Sequence, residues 1–285
     1  AIPHMDKFEP LMTIYLTEET KKAELKEAYM NKVVFAVKLY PAGATTNSES
    51  GVKDIKKIMP ILEVMTDIGM PLLIHGEVTN KEIDIFDREK VFIDKKLDFI
   101  CKELPGLKIT LEHITTSDAV SYVNDANKSL AASITPHHLT LNRNAIFSGG
   151  IRPHNYCLPI LKRESHRKSL VKAAISGNPK FFLGTDTAPH LINDKENACG
   201  CAGVFNATYC LPILAQLFDN EKSINKLESF ISRNGALHYK QQLNKDKIKL
   251  IKSKEHLIFQ EYLSINKKKV KIFEPDFPVF WNVSV

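Results

Sequence analysis

The nine residues VVFAVKLYP at positions 33–41 decide the predicted fold. A short run of β-branched and aromatic apolar residues, closed by a proline, is typical of a buried strand in a parallel sheet. Lys38 lies near the carboxyl end of this strand, where α/β barrels keep their chemistry. A buried ammonium group is costly unless it is paired, neutralised or able to reach water. Two interpretations of Lys38 are therefore open: a side chain that extends past the strand into solvent, and a functional group.

Strand and helix patterns alternate on both sides of this stretch. The predicted strands cover residues 11–16, 33–41, 72–75, 107–113, 131–135 and 181–186. The predicted helices cover 18–30, 55–68, 87–103, a segment from 117, 165–176, 210–218 and 222–233. We expect Thr17 to cap the first helix and Gly69 to end the second.

This order predicts an α/β fold with a parallel sheet and helical crossovers. A closed barrel needs eight strands, whereas six are predicted here, and an open doubly wound sheet is the alternative. The β-rich runs at 270–273 and 280–285 indicate a C-terminal appendage. The predicted domains are a barrel at residues 1–241 and an appendage at 242–285 packed on it.

Composition excludes several classes of protein. The chain has 285 residues, 44% of them hydrophobic, and a net charge of +6. Its basic residues are scattered and lack an aromatic platform, which argues against nucleic acid as a partner. No apolar run approaches the ~20 residues of a membrane helix, the start is not a signal peptide, and no glycine-rich phosphate loop occurs. The five cysteines are irregularly spaced, which favours free thiols in a reducing cytoplasm.

Three further strands end in residues that bind metals. His75 and His113 occupy equivalent positions at the ends of successive strands, and Asp186 ends a later one. A single histidine there is usually a hydrogen-bonded rim residue, and a single aspartate can cap the next helix. A lysine, two histidines and an aspartate on one rim together predict a metal site. The other histidines outside this rim receive no metal role; they are His4, His137, His138, His154, His166, His238 and His256.

Five motifs, taken in order, resemble the short bacterial dihydroorotases of the amidohydrolase superfamily. They are VKLYPA at 37–42, LIHGE at 73–77, EHITT at 112–116, RPHNYCLP at 152–159 and GTDTAPH at 184–190. The resemblance runs from about residue 8 to 239 and weakens over the appendage. It implies a TIM-like (β/α)8 barrel with a small C-terminal appendage.

The resemblance also implies a ligand set for two zinc ions. Lys38 resembles the lysine that reacts with carbon dioxide and bridges both ions as a carbamate. His75 and His113 resemble the ligands of the second zinc, and His75 also a substrate contact. Asp186 resembles the ligand of the first zinc and the general base.

Further residues resemble those that hold the substrate. Leu158 (through its backbone), His190 and Ala202 are implied to contact it, and Thr45 and Thr46 fall on a loop that closes over it. The implied reaction is the reversible cyclisation of N-carbamoyl-L-aspartate to L-dihydroorotate, a step of pyrimidine synthesis. A small-molecule substrate, a cytoplasmic location and a homodimer go with it.

One element of the pattern is missing. The family's first strand carries a His-x-His pair that completes the first zinc site, and no such pair occurs in these residues. We therefore expect an N-terminally truncated chain that lacks two βα units, about 60 residues at ~30 each, and part of the site. Two alternatives stay open: another cyclic-amide hydrolase of hydantoinase or allantoinase type, and an inactive assembly partner derived from such a barrel.

Overall fold

The computed structural model describes residues 9–284. The first eight residues of the predicted barrel domain, which include His4, and Val285 of the last predicted β run lie outside the described residues. Within the described part, no helix has the length and apolar character needed to cross a membrane.

Six parallel strands form one sheet within residues 9–284, in the order in which they occur along the chain. They are β1 (Thr13–Tyr15), β2 (Ala36–Leu39), β3 (Leu72–His75), β4 (Ile109–Glu112), β5 (Leu130–Ile134) and β6 (Phe181–Leu183). All six predicted strands are confirmed, with shorter bounds in most cases. Strands that pair with their sequence neighbours through helical crossovers give the TIM-like α/β architecture that the motifs implied.

Helices follow the strands. They are α1 (Lys22–Met30), α2 (Ile55–Ile68), α3 (Arg88–Phe92), α4 (Asp98–Glu103), α5 (Ser117–Asp125), α6 (Pro136–Thr140), α7 (Asn144–Phe147), α8 (Glu164–Ile175), α9 (Ile192–Lys195), α10 (Cys210–Asn220) and α11 (Asn234–His238). A π-helical turn at Ile93–Leu97 joins α3 to α4, so the helix predicted over 87–103 is continuous but irregular.

Two helix predictions were wrong in detail. Thr17 does not cap α1, because its backbone amide bonds the Thr20 hydroxyl (3.0 Å) in a separate turn and the helix begins only at Lys22. The helix predicted over 222–233 begins only at Ile224 and is irregular, with a 3-10 turn at Ile224–Lys226 and a π-helical turn at Ser229–Arg233. Lys222 has a φ of +54°, and this left-handed conformation cannot start a right-handed helix.

The two faces of the sheet differ in polarity, because successive side chains of a strand point to opposite faces. One face is apolar and is buried with the helices in the main core; its residues include Val37, Leu39, Leu72, Ile74, Ile109 and Leu111. The alternate positions include the polar side chains of the candidate site, among them Lys38, His75, Glu112 and Ser133. Helix packing therefore stabilises one face and leaves the other for chemistry.

The segment predicted as an appendage contains two small antiparallel sheets. In one, β7 (Lys249–Lys252) pairs with β10 (Trp281–Ser284), and in the other β8 (Tyr262–Ile265) pairs with β9 (Lys268–Lys271). Trp281 Nε1 donates to Asp219 Oδ2 (3.2 Å), so the first sheet lies on α10. The boundary at residue 242 stays a prediction.

Candidate active site

Lys38 has a charged partner that the sequence did not reveal. Its side chain is 12% exposed, and its ammonium group forms an ion pair and hydrogen bond with the carboxylate of Glu112, at the end of β4. The ammonium also lies 4.7 Å from the centre of the Tyr40 ring. The burial of Lys38 is thus offset by pairing rather than by reach into solvent.

His75 and His113 lie side by side at the carboxyl ends of β3 and β4. Their ring centres are 4.8 Å apart, and both side chains are buried. His75 Nε2 donates to Glu77 Oε2 (2.9 Å), whereas His113 Nδ1 is buried and has no partner among the described residues. Burial, together with the nearby His75 and Lys38, lowers the pKa of His113 well below its usual value. A neutral imidazole with an unused nitrogen is the form that binds metals.

The backbone is strained at two of the predicted ligands. His113 has a φ of +44° and Asp186 a φ of +42°, a region that residues other than glycine rarely adopt. Such conformations cost about 1–3 kcal/mol each and cluster at functional sites. Ser133 steadies the first turn, because its hydroxyl accepts from the backbone amide of His113 (2.9 Å). Asn206 steadies the second by donating from Nδ2 to the carbonyl of Thr185 (2.7 Å).

Asp186 faces the same group of charges. Although the residue is exposed at the mouth of the site, the surrounding protein removes water from its carboxylate, and this desolvation raises its pKa. Lys38 and His75 oppose that rise, while Glu112 adds to it. Because Asp186 follows β6 of the parallel sheet as His113 follows β4, it lies at the same end of the sheet as the other predicted ligands.

The predicted substrate contacts meet in a neighbouring pair of loops. His190 Nε2 donates to the carbonyl of Ala202 (3.1 Å). The backbone amide of Gly203 donates to the carbonyl of Tyr156 (3.0 Å), two residues before Leu158. The segments around Leu158, His190 and Ala202 are therefore joined directly.

The loop that follows β2 holds Thr45 and Thr46. Thr45 accepts a hydrogen bond from the buried Ser48 hydroxyl at its carbonyl (2.6 Å), and its amide donates back to that oxygen (2.9 Å). Thr46 is exposed. The closing role of this loop stays a prediction.

A second group of potential metal ligands lies nearby. The ligand atoms of His137, His138 and Cys157 lie within 4.8 Å of one another, and no other trio of His, Cys, Asp or Glu in residues 9–284 is so close. From the sequence, we expected no metal role for these two histidines. His138 is held at both ring nitrogens, by the Thr135 hydroxyl (2.8 Å) and the carbonyl of Pro159 (2.8 Å). Burial raises the pKa of Cys157 to about 12, so its thiol stays protonated without a metal.

The rim residues fit a metal centre better than this buried trio does. In the trio, His138 is bonded at both ring nitrogens and the Cys157 thiol is protonated, which leaves His137 Nε2 as its one free ligand atom. The rim offers the free Nδ1 of a neutral His113 beside His75 and Asp186, and zinc prefers imidazole and carboxylate ligands. All five cysteines are free, as predicted.

Comparisons with known proteins agree with this chemistry. The profile of the Amidohydrolase family matches residues 5–253. A dihydroorotase of Rhizobium johnstonii is 52% identical over 283 residues, which span 99% of this chain and 81% of that protein. The crystal structure of a Saccharomyces cerevisiae dihydroorotase in complex with 5-fluoroorotic acid superimposes with a TM-score of 0.86 at 32% identity, covering 96% of this chain and 80% of the other.

A hydantoinase is also similar, but in fold alone. The L-hydantoinase of Arthrobacter aurescens has a TM-score of 0.75 at 15% identity, covering 95% of this chain and 66% of that chain. Sequence identity favours the dihydroorotases, at 52% against 15% over a similar share of this chain. This chain belongs to the dihydroorotases of the amidohydrolase family.

Proposed function

We propose that this chain catalyses the reversible cyclisation of N-carbamoyl-L-aspartate to L-dihydroorotate, with Lys38, His75, His113 and Asp186 as its metal-binding and catalytic residues. One observation carries the proposal. A chain 52% identical to a dihydroorotase brings these four side chains to the carboxyl ends of its strands, where such barrels act. The yeast relative binds 5-fluoroorotic acid, a pyrimidine carboxylate, which supports a substrate of that class.

Two zinc ions per subunit are proposed for the complete enzyme, held as the resemblance implies. His75 and His113 would bind one and Asp186 the other, with a carbamate on Lys38 between them. Bound zinc would polarise the amide carbonyl and lower the pKa of the attacking water. Carbamylation would turn Lys38 from a cation into an anion, so Glu112 would lose its ion pair and have to move away or take up a proton.

Asp186 is the proposed general base. It would take a proton from the attacking water and give it to the leaving ring nitrogen, and in the reverse direction it would do the opposite. The desolvation that raises its pKa makes this carboxylate a better proton acceptor. Leu158, His190 and Ala202 would position the substrate, and Thr45 and Thr46 would close over it. The homodimer and the place in pyrimidine synthesis are proposed from the resemblance.

The test is the activity of Asp186→Ala measured in both directions. Loss of a base that is also a ligand should lower turnover at least ~10²-fold. Asp194→Ala, an exposed aspartate on α9, is the matched control and should leave turnover unchanged. Near-parental turnover of Asp186→Ala at every pH would contradict the mechanism.

A substrate panel decides between the remaining alternatives. Hydantoins turned over faster than dihydroorotate would favour the hydantoinase interpretation. A zinc-loaded protein that turns over neither would favour an inactive assembly partner.

A further inference from the structure

A lysine outside the site described above is buried among backbone carbonyls. Lys195, the last residue of α9, is 3% exposed. Its Nζ donates to the carbonyls of Tyr156 (2.9 Å), Cys201 (2.7 Å) and Gly203 (2.8 Å). An ammonium group has three donors and no acceptor, so three carbonyls satisfy it fully.

These carbonyls belong to the two segments that carry predicted substrate contacts. Cys201 and Gly203 flank Ala202, whose own carbonyl accepts from His190 Nε2 (3.1 Å). The carbonyls of Cys201, Ala202 and Gly203 therefore accept hydrogen bonds from Lys195, His190 and Lys195, respectively. By holding the carbonyls of Cys201 and Gly203, Lys195 determines the direction of the Ala202 carbonyl between them.

At Gly203 the segment 201–203 packs closely on the loop after β6. A Cβ atom at Gly203 would lie 2.7 Å from Ala188 Cβ and 2.8 Å from His190 Cδ2, so this backbone packs directly on the loop after β6. The Gly203 amide donates to the same Tyr156 carbonyl that Lys195 bonds. One ammonium group therefore joins residues 156 and 201–203 beside the loop that carries Asp186 and His190.

We propose that Lys195 is a positioning residue of the substrate pocket, which holds the backbone at 156–158 and 201–203 so that Leu158 and Ala202 face the substrate. The proposal rests on the proposed function, because it assigns a purpose to these two contacts. Lys195 itself does not touch the substrate. Its loss would misplace neutral backbone groups rather than remove a reacting one, so binding should suffer more than chemistry.

The chain offers a closely matched control. Lys180, just before β6 at the opposite end of that strand, also donates to three backbone carbonyls, those of Val123 (3.0 Å), Asn124 (3.1 Å) and Ala126. Lys180→Met and Lys195→Met remove the same chemical interactions, one far from the site and one beside it. A purely structural role of Lys195 would lower stability in both variants without raising KM in either.

The experiment measures KM and kcat for dihydroorotate in both variants of the zinc-loaded protein. We expect Lys195→Met to raise KM about tenfold or more with a smaller change in kcat, and Lys180→Met to leave KM at the parental value. An unchanged KM in Lys195→Met, or an equal rise in both variants, would overturn the proposal. If Lys195→Met does not fold, Lys195→Gln, which keeps two donors, takes its place with the same expectation.

Hydrogen exchange of the ligand-free proteins provides a measurement that needs no activity. Amides in segments 156–158 and 201–203 should exchange faster in Lys195→Met and at the parental rate in Lys180→Met. Parental exchange in Lys195→Met would also refute the positioning role. A parent protein without dihydroorotase activity, but with this exchange pattern, would count against the proposed function alone.

Discussion

Polar side chains at the two ends of the six-stranded sheet differ in how they are hydrogen-bonded. At the amino end, Lys108 Nζ donates to the carbonyl of His238 (2.7 Å), and the Thr110 hydroxyl shares a hydrogen bond with the Tyr239 hydroxyl (2.8 Å). Lys180 is likewise bonded. Among the described residues, these polar groups at the amino end are all bonded within the protein.

At the carboxyl end of the strands, several buried polar atoms have no hydrogen-bond partner among the described residues. Six buried side-chain nitrogen or oxygen atoms have no partner within residues 9–284, and each belongs to a residue at the end of a strand or in the segment that follows it. They are Tyr15 Oη, Glu77 Oε1, Arg88 Nε, His113 Nδ1, His137 Nε2 and Asn206 Oδ1. Buried polar groups are normally paired, so their concentration at one end marks the place where metal, water or substrate supplies the partners. Polar side chains at the amino end are thus paired within the protein, whereas those at the carboxyl end leave atoms free for a ligand.

The largest contrast between the ends should come from replacing a lysine at each. Lys38→Met removes the proposed bridging ligand and leaves the Glu112 carboxylate unpaired, so we expect turnover to fall at least about a hundredfold together with zinc content. Lys180→Met should lower the melting temperature and keep both zinc and turnover. Metal analysis and initial rates on the two proteins measure this.

The carbamate itself has a separate readout. Crystals grown with zinc should show density for three extra atoms on the Lys38 amine. A bare, well-ordered ammonium that still bonds Glu112 with both zincs present would end the assignment of Lys38 as a carbamylated ligand.

A smaller contrast should come from two hydroxyls. Ser133→Ala deletes the acceptor that steadies the strained turn at His113, and groups that orient a metal ligand typically contribute 10–100-fold in affinity. We therefore expect zinc affinity to fall about tenfold.

Thr110→Val deletes a hydroxyl of similar burial at the amino end, and should cost about 1 kcal/mol of unfolding free energy without changing zinc affinity. Zinc titration and chemical denaturation of both variants would show whether the effects separate in this way. Equal losses of zinc affinity would mean that the two ends do not differ as described.

Local signals made part of this structure predictable. The bounds of α2 match the prediction, because Asp54 accepts from the amide of Lys56 (2.9 Å) at its start and Gly69 takes a φ of +72° at its end. Both determinants lie within two residues of the helix. The strands could also be predicted from the sequence, because burial on the apolar face requires a continuous or alternating hydrophobic pattern.

Long-range partners could not be read in the same way. Glu112 is 74 residues from Lys38, and Lys195 bonds a carbonyl 39 residues away, so no periodicity connects them. The motif resemblance gave the rim residues individually, but their pairing depends on which strands become neighbours. The prediction that Thr17 caps α1 failed for a related reason. The adjacent Glu18 makes long-range hydrogen bonds, accepting from the amides of Lys53 and Asp54 beside α2.

The smallest expected effect concerns pH and the amino end. Burial, with a smaller contribution from Lys108, lowers the pKa of His238 from 6.5 to about 4. Between these values the unfolded chain binds a proton that the folded chain does not, so this histidine's contribution to stability is complete above pH 6.5 and is lost as the pH falls toward 4. His238→Gln should therefore flatten the fall in unfolding free energy over this range, while zinc content and turnover at pH 8 stay parental. Denaturation at several pH values measures the slope. A variant that keeps the parental slope would place the acid sensitivity elsewhere, and one that loses zinc would show that the amino end is coupled to the site after all.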